Sequence, residues 1–365
     1  MRTYRFLVGK AEARLRLDRY LLRHLPQTFS RAVVQRSIQA CAVTVDGRTA
    51  KAHRHLKAGE TVVARFDQLS QPSREAALAP EPIPPEVVYE DDEVLVVNKP
   101  PGLVTHPAPG HWSGTLVNAI LWHLQQAQGS RLKAEGKSLE PPASSLQPVL
   151  PRAGIVHRLD KDTSGLLLVA KTQRALRALT QQLKARSISR RYLALVEGHA
   201  EFQEGTIDAS IGRHLKDRKV MTVRYLGGRQ AVTHYRVIKR LEARGSRLEA
   251  LDKSLQPPAS SLEPEAFPYT LLEVWLETGR THQVRVHLAH LGHPVLGDPV
   301  YGRHPTEYWS ALGIPRQLLH AYAIRFVHPA TQKPLELTIS LPEDMMRWVP
   351  QELRDVSILR RLEGA

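Results

Sequence analysis

Apolar positions recur at helical spacing early in the chain. In "RLRLDRYLLRHL", Leu17, Tyr20, Leu21 and Leu25 fall on one face, and in "RAVVQRSIQA" Val34, Ile38 and Cys41 do the same, with Ser30 placed to cap the second helix. The period then drops to two. Val43 and Val45 alternate into Asp46-Gly47, a strong hairpin signal. Residues 67–85 hold five prolines and little periodicity, so they read as an extended linker. Beyond it, "EVLVVNK" predicts a buried strand stopped by Pro100-Pro101-Gly102, and "LLLVA" up to Ala170 predicts another. Thr172 can cap a helix with Leu176, Leu179 and Leu183 on one face. "RRYLALVEG" (190–198) and "YTLLEVWLETG" (269–279) read as strands, and "THQVRVHLAHL" as a helix closed by Gly292 and Pro294. Strands outnumber helices and many are joined by short turns. The expected architecture is α+β: a mixed, largely antiparallel β-sheet domain with flanking helices, preceded by a small α/β domain.

Two near-copies interrupt the second domain. Residues 129–148 and 245–264 agree at 15 of 20 positions, are rich in Pro and Ser, and read as surface-loop insertions rather than as a solenoid. The "EGKS" in the first is no phosphate-binding P-loop, because Arg131 stands where the first glycine is needed. The expected division is therefore residues 1–66, a linker over 67–85, a catalytic domain over 86–350 carrying both insertions, and a tail over 351–365.

Charge sharpens the picture. The chain of 365 residues carries a net +15, and residues 1–66 hold 14 Lys/Arg against 4 Asp/Glu. Between Arg31 and Lys57 the cations Arg31, Arg36, Arg48, Lys51, Arg54 and Lys57 face one acid, Asp46. Such a concentration fits a polyanion better than a merely solubilising surface, and nucleic acid leads. Arg31, Arg36, Arg48 and Lys51 are the expected phosphate contacts of this module. A single cysteine excludes an internal disulfide and suits a reducing compartment. No run approaches the ~18 apolar residues of a membrane span, and the N-terminus lacks a sustained apolar signal segment. The expectation is a cytoplasmic protein with no membrane partner.

The candidate chemistry lies in "HRLDKDTSGLLLVAKT" (157–172), where a polar, charged half meets an apolar strand. Charged groups beside a core are costly unless paired or used. Asp160, on a loop held by that strand, suits a nucleophile or a base. Taken alone, the stretch equally suits an Asp that only bonds turn amides. A kinase catalytic loop is excluded by the inserted Leu159 and by the lack of a D-F-G and of a Gly-rich loop. Seventeen histidines raise a metal site, but there is no H-E-x-x-H and only one Cys. His287, His290 and His293 share no helix face with a carboxylate, so neither metal nor cofactor is expected.

The stretches "PRAGIVHRLDKDTSGLLLVAKT", "RRYLALVEGH", "AVTHYRV" and "LETGRTHQVRVHLAHLGHPVLGDPVYG" resemble the RluA family of pseudouridine synthases, close to its RluD-type members, over about residues 86–345. "RLDRYLL" and "FSRAVVQRSIQACAVTVDGR" resemble the S4 RNA-binding domain. The resemblance implies an isomerase that detaches uracil from its ribose, rotates it and rejoins it through C5, without cofactor or metal. It implies Asp160 as nucleophile or essential carboxylate, acting at C1′ or at the base. Tyr192 would lie over the target base with a proton-transfer role, although alone it reads as a strand core residue. Arg285 would pair with Asp160, its alternative being a phosphate contact. Arg158 would enter the stack when the uridine is flipped out. His157, Thr163 and Asn98-Lys99-Pro100 are expected to be architectural. The RluD-type likeness implies large-subunit ribosomal RNA or its precursor particle as partner, with transfer RNA as the family alternative. A non-catalytic RNA-binding assembly factor is the alternative from another class. A monomer is expected.

Overall fold

The computed structural model describes residues 2–25, 31–66, 79–108, 111–134, 150–217, 220–243 and 267–355. The chain forms two compact units, Met1–Ala76 and Ala77–Ala365.

In the first unit, strands β1 (Arg2–Leu7), β2 (Val43–Val45), β3 (Arg48–Thr49) and β4 (Thr61–Phe66) make an antiparallel sheet in the order β1-β4-β2-β3. Helices α1 (Leu17–His24) and α2 (Arg31–Gln39) flank it. Leu17, Tyr20, Leu21 and Leu25 pack with Val34, Ile38, Val43 and Val45 in one core, as the two periodicities require. Asp46 and Gly47 both adopt positive φ (49° and 76°), the backbone that a two-residue hairpin turn demands. Cys41 departs from expectation: it is exposed. Helix α2 stops at Gln39 and Cys41 takes a left-handed φ of 59°, so the helical period cannot be carried two residues further. The cap expected at Ser30 lies outside the described residues.

The second unit is built on a nine-stranded sheet. Its strands are β5 (Glu86–Glu90), β6 (Val94–Lys99), β7 (Ser164–Ala170), β8 (Ser189–Glu197), β9 (Glu204–Asp208), β12 (Val232–Ala243), β13 (Phe267–Leu276), β14 (Leu319–Val327) and β15 (Pro334–Thr338). The order is β5-β6-β7-β14-β8-β13-β12-β9, with β15 on β14. Among the described strands only β7 and β14 run parallel; the other pairs are antiparallel. A separate two-stranded ribbon pairs β10 (Ile211–Arg213) with β11 (Met221–Val223). The helices are α3 (Leu116–Ala134), α4 (Gln173–Lys184), α5 (Gln283–His290), α6 (Thr306–Ala311) and α7 (Glu343–Met346).

Central strand β7 explains why "LLLVA" shows no alternation. Leu167 and Val169 pack with Ile120 of α3 and Val284 and Leu288 of α5, while Leu166 and Leu168 pack with Ala175 and Leu179 of α4. A strand covered on both faces must be apolar throughout. Gly165 sits where β7 meets β14. Its φ is +117°, and a Cβ there would lie 2.3 Å from the Ala321 carbonyl oxygen, so only glycine permits the parallel pairing. Helix α4 is capped by Thr172, whose hydroxyl accepts from the Ala175 amide at 3.0 Å.

Two boundaries differ from expectation. Helix α3 runs to Ala134, so the first six residues of the 129–148 stretch continue a helix instead of forming a loop. The remainder of that stretch and all of 245–264 lie outside the described residues. Of the expected linker, residues 79–85 are irregular but fastened to the second unit. The Glu81 carboxylate accepts from the Gly114 amide at 2.9 Å, the Ala79 carbonyl accepts from Asn118 Nδ2 at 2.8 Å, and Ile83 packs on the core. Among the described residues no helix is long and apolar enough to cross a membrane.

Candidate active site

Asp160 lies in the loop that leads into β7, and buried side chains hold that loop on both sides of it. The Leu159 carbonyl accepts from Thr105 Oγ1 at 2.7 Å, and the Lys161 carbonyl accepts from Lys99 Nζ at 2.8 Å. The Asp162 carbonyl accepts from Arg316 Nη1 at 2.9 Å, and the Ser164 hydroxyl donates to His320 Nδ1 at 2.9 Å. His320 is kept neutral by burial, which lowers it to about 3, and it passes its remaining N–H to the Ser340 carbonyl. His157 is likewise lowered to about 3, mainly by burial, and accepts from the Leu168 amide through Nε2. Thr163 bonds Gln317. All of these groups support the loop's geometry.

Lys99 is fully buried, and its ammonium donates to the carbonyls of Pro100, Leu103 and Lys161 at 2.7, 3.0 and 2.8 Å. Burial pushes it down from 10.5 to about 7; Asp162 opposes this, Arg316 adds to it and Asp160 opposes it. A depressed lysine makes stability rise with pH. Between about 7 and 10.5 the unfolded chain keeps a proton that the folded chain has released, while below 7 the cost of burying the charge is present in full. Urea melts of wild type and Lys99→Met at pH 7 and pH 9 should show a wild-type gain larger by on the order of 2 kcal/mol. Equal gains would mean that Lys99 does not titrate in this range.

Arg285 comes to Asp160 from α5. The helix start is fixed by Gln283, whose Oε1 accepts from Thr278 Oγ1 and the Arg280 amide while its Nε2 donates to the Val232 carbonyl and Thr233 Oγ1. His282, just before the helix, is left-handed at φ 56°. Two residues into the helix, Arg285 Nη1 donates to Asp160 Oδ2 at 3.2 Å. Its Nε and Nη2 form a two-pronged pair with Asp298, both at 2.7 Å. Asp298 is 1 % exposed and also accepts from the amides of Val300 and Tyr301. The guanidinium lies 5.1 Å from the Tyr301 ring centre, and Tyr301 Oη bonds His282 Nδ1 and the Met221 amide. The two carboxylates hold the Arg285 guanidinium firmly protonated.

Tyr192 enters from β8. Its strand period places it with Arg190 on the side that packs against α5, at 5 % exposure. Burial raises the phenol; Arg190 opposes this and Asp160 adds to it. Asp160, Tyr192 and Arg285 line one open cavity of about 570 Å³. The cations Arg152, Arg158, Lys184, Arg186, Arg190 and Arg280 share that lining, against Asp160 and Glu277 as acids. Glu277 is engaged by Arg186 and His234 at 2.6 and 2.9 Å. His106, also in the wall, is lowered to about 4 by burial and then by Arg152 and Arg158, so it presents a neutral ring. A carboxylate paired with arginine in a water-accessible, cation-rimmed pocket suits chemistry on a polyanion.

The structure thus brings Asp160, Tyr192, Arg285 and Arg158 into one cavity. Arg48 and Lys51 are exposed on the first unit, which also holds Arg31 and Arg36 in α2. Sequence reasoning assigned no role to Asp298, Tyr301, His106, Arg190 or Arg316. Asp298 and Tyr301 stand in the quoted "LGDPVYG", but nothing in its spacing says that the Asp grips an arginine. Among the described residues no His/Cys/Asp/Glu group could hold a metal ion.

The family described as RNA pseudouridylate synthase matches residues 93–290. The chain is 40% identical to the ribosomal large subunit pseudouridine synthase D of Xanthomonas campestris pv. campestris, over 93% of this chain and 90% of that one. It is also 40% identical to the protein of the same name in Nitrosomonas europaea, over 91% of this chain and 83% of the other. Among solved structures, human RNA pseudouridylate synthase domain containing 1 aligns at 24% identity and a TM-score of 0.47, covering 70% of this chain and 82% of its own. The match across more than half of the chain, with 40% identity over nearly all of it, makes this protein a member of the RNA pseudouridylate synthases, an RluD-type isomerase of the RluA family.

Proposed function

We propose that the protein isomerises uridines of large-subunit ribosomal RNA, with Asp160 as the acting carboxylate. The observation that carries this reading is the Asp160–Arg285 pair at 3.2 Å beside Tyr192 in a cavity rimmed by arginines. The two relatives named for the large ribosomal subunit support the substrate class.

The reaction breaks the N1–C1′ bond of uridine and makes a C5–C1′ bond. The hydrogen on C5 leaves as a proton and N1 gains one, so no oxidant or reductant is needed. Asp160 attacks C1′ or the base, and the Arg285 N–H holds it aimed. Tyr192, desolvated but touched by the cavity, takes part in moving the C5 proton. Both reacting carbons are shielded inside a stacked helix, so the nucleotide must be extruded. Exposed Arg158 has the planar, cationic side chain to fill the vacated space. The first unit acts as an S4-type RNA-binding module, the enzyme works as a cytoplasmic monomer, and Arg31, Arg36, Arg48 and Lys51 contact phosphates.

RNA carrying 5-tritiated uridine tests this, because C5–C1′ bond formation expels the label to water. Wild type is expected to release tritium from ribosomal RNA or from a pre-assembled large subunit. Release from transfer RNA alone would overturn the substrate, and no release from any pool would overturn the activity. The RNA-binding role has its own readout. Replacing Arg48 and Lys51 together by glutamine should flatten the plot of log affinity against log salt by about 1.5, near the ~0.7–0.9 per phosphate contact expected for nucleic acids. An unchanged slope would remove both from the interface.

A further inference from the structure

We infer that Asp298 is a positioning residue for the isomerisation, acting through Arg285 to fix which N–H meets Asp160. The inference rests on the reading that Asp160 is the acting carboxylate.

The geometry divides the Arg285 fork unequally. Nε and Nη2 are both given to Asp298 at 2.7 Å, and Asp160 receives Nη1 at 3.2 Å. A guanidinium is planar, so fixing Nε and Nη2 fixes where Nη1 points. Asp298 is itself immobilised by the amides of Val300 and Tyr301, which bond the same Oδ1 that accepts from Nη2. Its register relative to α5 is therefore set by backbone and not by a rotatable contact. The aromatic face of Tyr301 closes one side of the guanidinium, and Tyr301 is fixed in turn by His282 and the Met221 amide. Arg285 has one direction left, toward Asp160.

The arrangement also divides the charge. One cation stands between two carboxylates, so Asp160 is aimed by a hydrogen bond of ordinary length while the tighter, two-pronged pair lies behind it. Asp298 is buried and does not line the cavity. Whatever it contributes to the rate passes through Arg285.

Asp298→Asn keeps the size of the side chain and an oxygen for the Val300 and Tyr301 amides, but it turns an N–H donor toward the arginine fork. Displacing a reacting group by ~1 Å can cost about 100-fold. Single-turnover tritium release should therefore fall about 30-fold at saturating RNA, with the half-saturating RNA concentration within about threefold of wild type. In an Arg285→Lys background, which has no fork to aim, the same change should cost less than about threefold more. Asp298→Glu keeps the charge but moves it by one methylene, and is expected to lose rate similarly; it serves if the Asn variant does not fold. Melting curves for each variant report the folded fraction, to which rates are normalised.

Equal fold-losses in the two backgrounds would mean that Asp298 only supports the fold, and would overturn the inference. So would a rate within threefold of wild type for both Asp298 variants. Full activity in Asp160→Asn would instead overturn the underlying reading, whatever Asp298 does.

Discussion

Asp160→Asn is expected to abolish tritium release, by about 10⁴-fold or more, which is the scale seen when a group acting directly on the reacting bond is removed. The substitution changes one oxygen to an amide nitrogen. It leaves the loop anchors at Leu159, Lys161, Asp162 and Ser164 untouched, because those run through backbone atoms and the Ser164 hydroxyl. The amide can still accept from Arg285 Nη1, so folding should be disturbed little: the carboxylate is partly open to the cavity and its side chain is 15% exposed. What is lost is the negative charge and the lone pair with which a carboxylate attacks carbon. The assay should use saturating RNA, with binding and melting temperature measured alongside. Release within tenfold of wild type from a folded, RNA-binding variant would remove Asp160 from the chemistry.

Arg285→Ala is expected to damage both activity and fold. The side chain is 5% exposed and stands between Asp298, which is fully buried, and Asp160. Its removal leaves a carboxylate sealed in the core with two amide donors and no cation. Breaking a buried pair from one side costs about 3–5 kcal/mol, because the remaining charge is uncompensated. For a unit of this size that corresponds to a fall of roughly 10 °C in melting temperature. Arg285→Lys should recover part of the stability but little of the rate, since an ammonium supplies charge without the fork that reaches both carboxylates. Thermal melts and tritium release on the same preparations check both statements. An Ala variant as stable as wild type would show that the two carboxylates find other partners.

Much of the site was legible because its signals are local. Thr172 caps α4 and Asp46-Gly47 turns β2 into β3 through contacts between near neighbours, and both periods could be counted. The charged half of 157–172 asked for a partner because charge beside a buried strand is costly. It left Asp160 equally open to a turn role, and the catalytic expectation came from the resemblance to the RluA family. The partners themselves were not legible from spacing. Arg316 and His320 reach Asp162 and Ser164 through the parallel pairing of β7 with β14, which no pattern within either strand encodes. Asp298 carries no signal of its role until its two oxygens are seen on Arg285. Cys41 shows the opposite error, where a real helical period was followed past the point at which the backbone turns left-handed.

The anchors of the Asp160 loop also set an order in time. Two of them come from residues 154 and 156 positions downstream, across the strand pairing that only Gly165 allows. Contacts this distant in sequence form late, since the intervening chain must be synthesised and its entropy surrendered first. A nascent chain that has not yet presented Arg316 and His320 carries the whole "HRLD" loop and the Lys99 clamp, but not the second half of its support. The support of the Asp160 loop is therefore complete only once β14 has paired with β7.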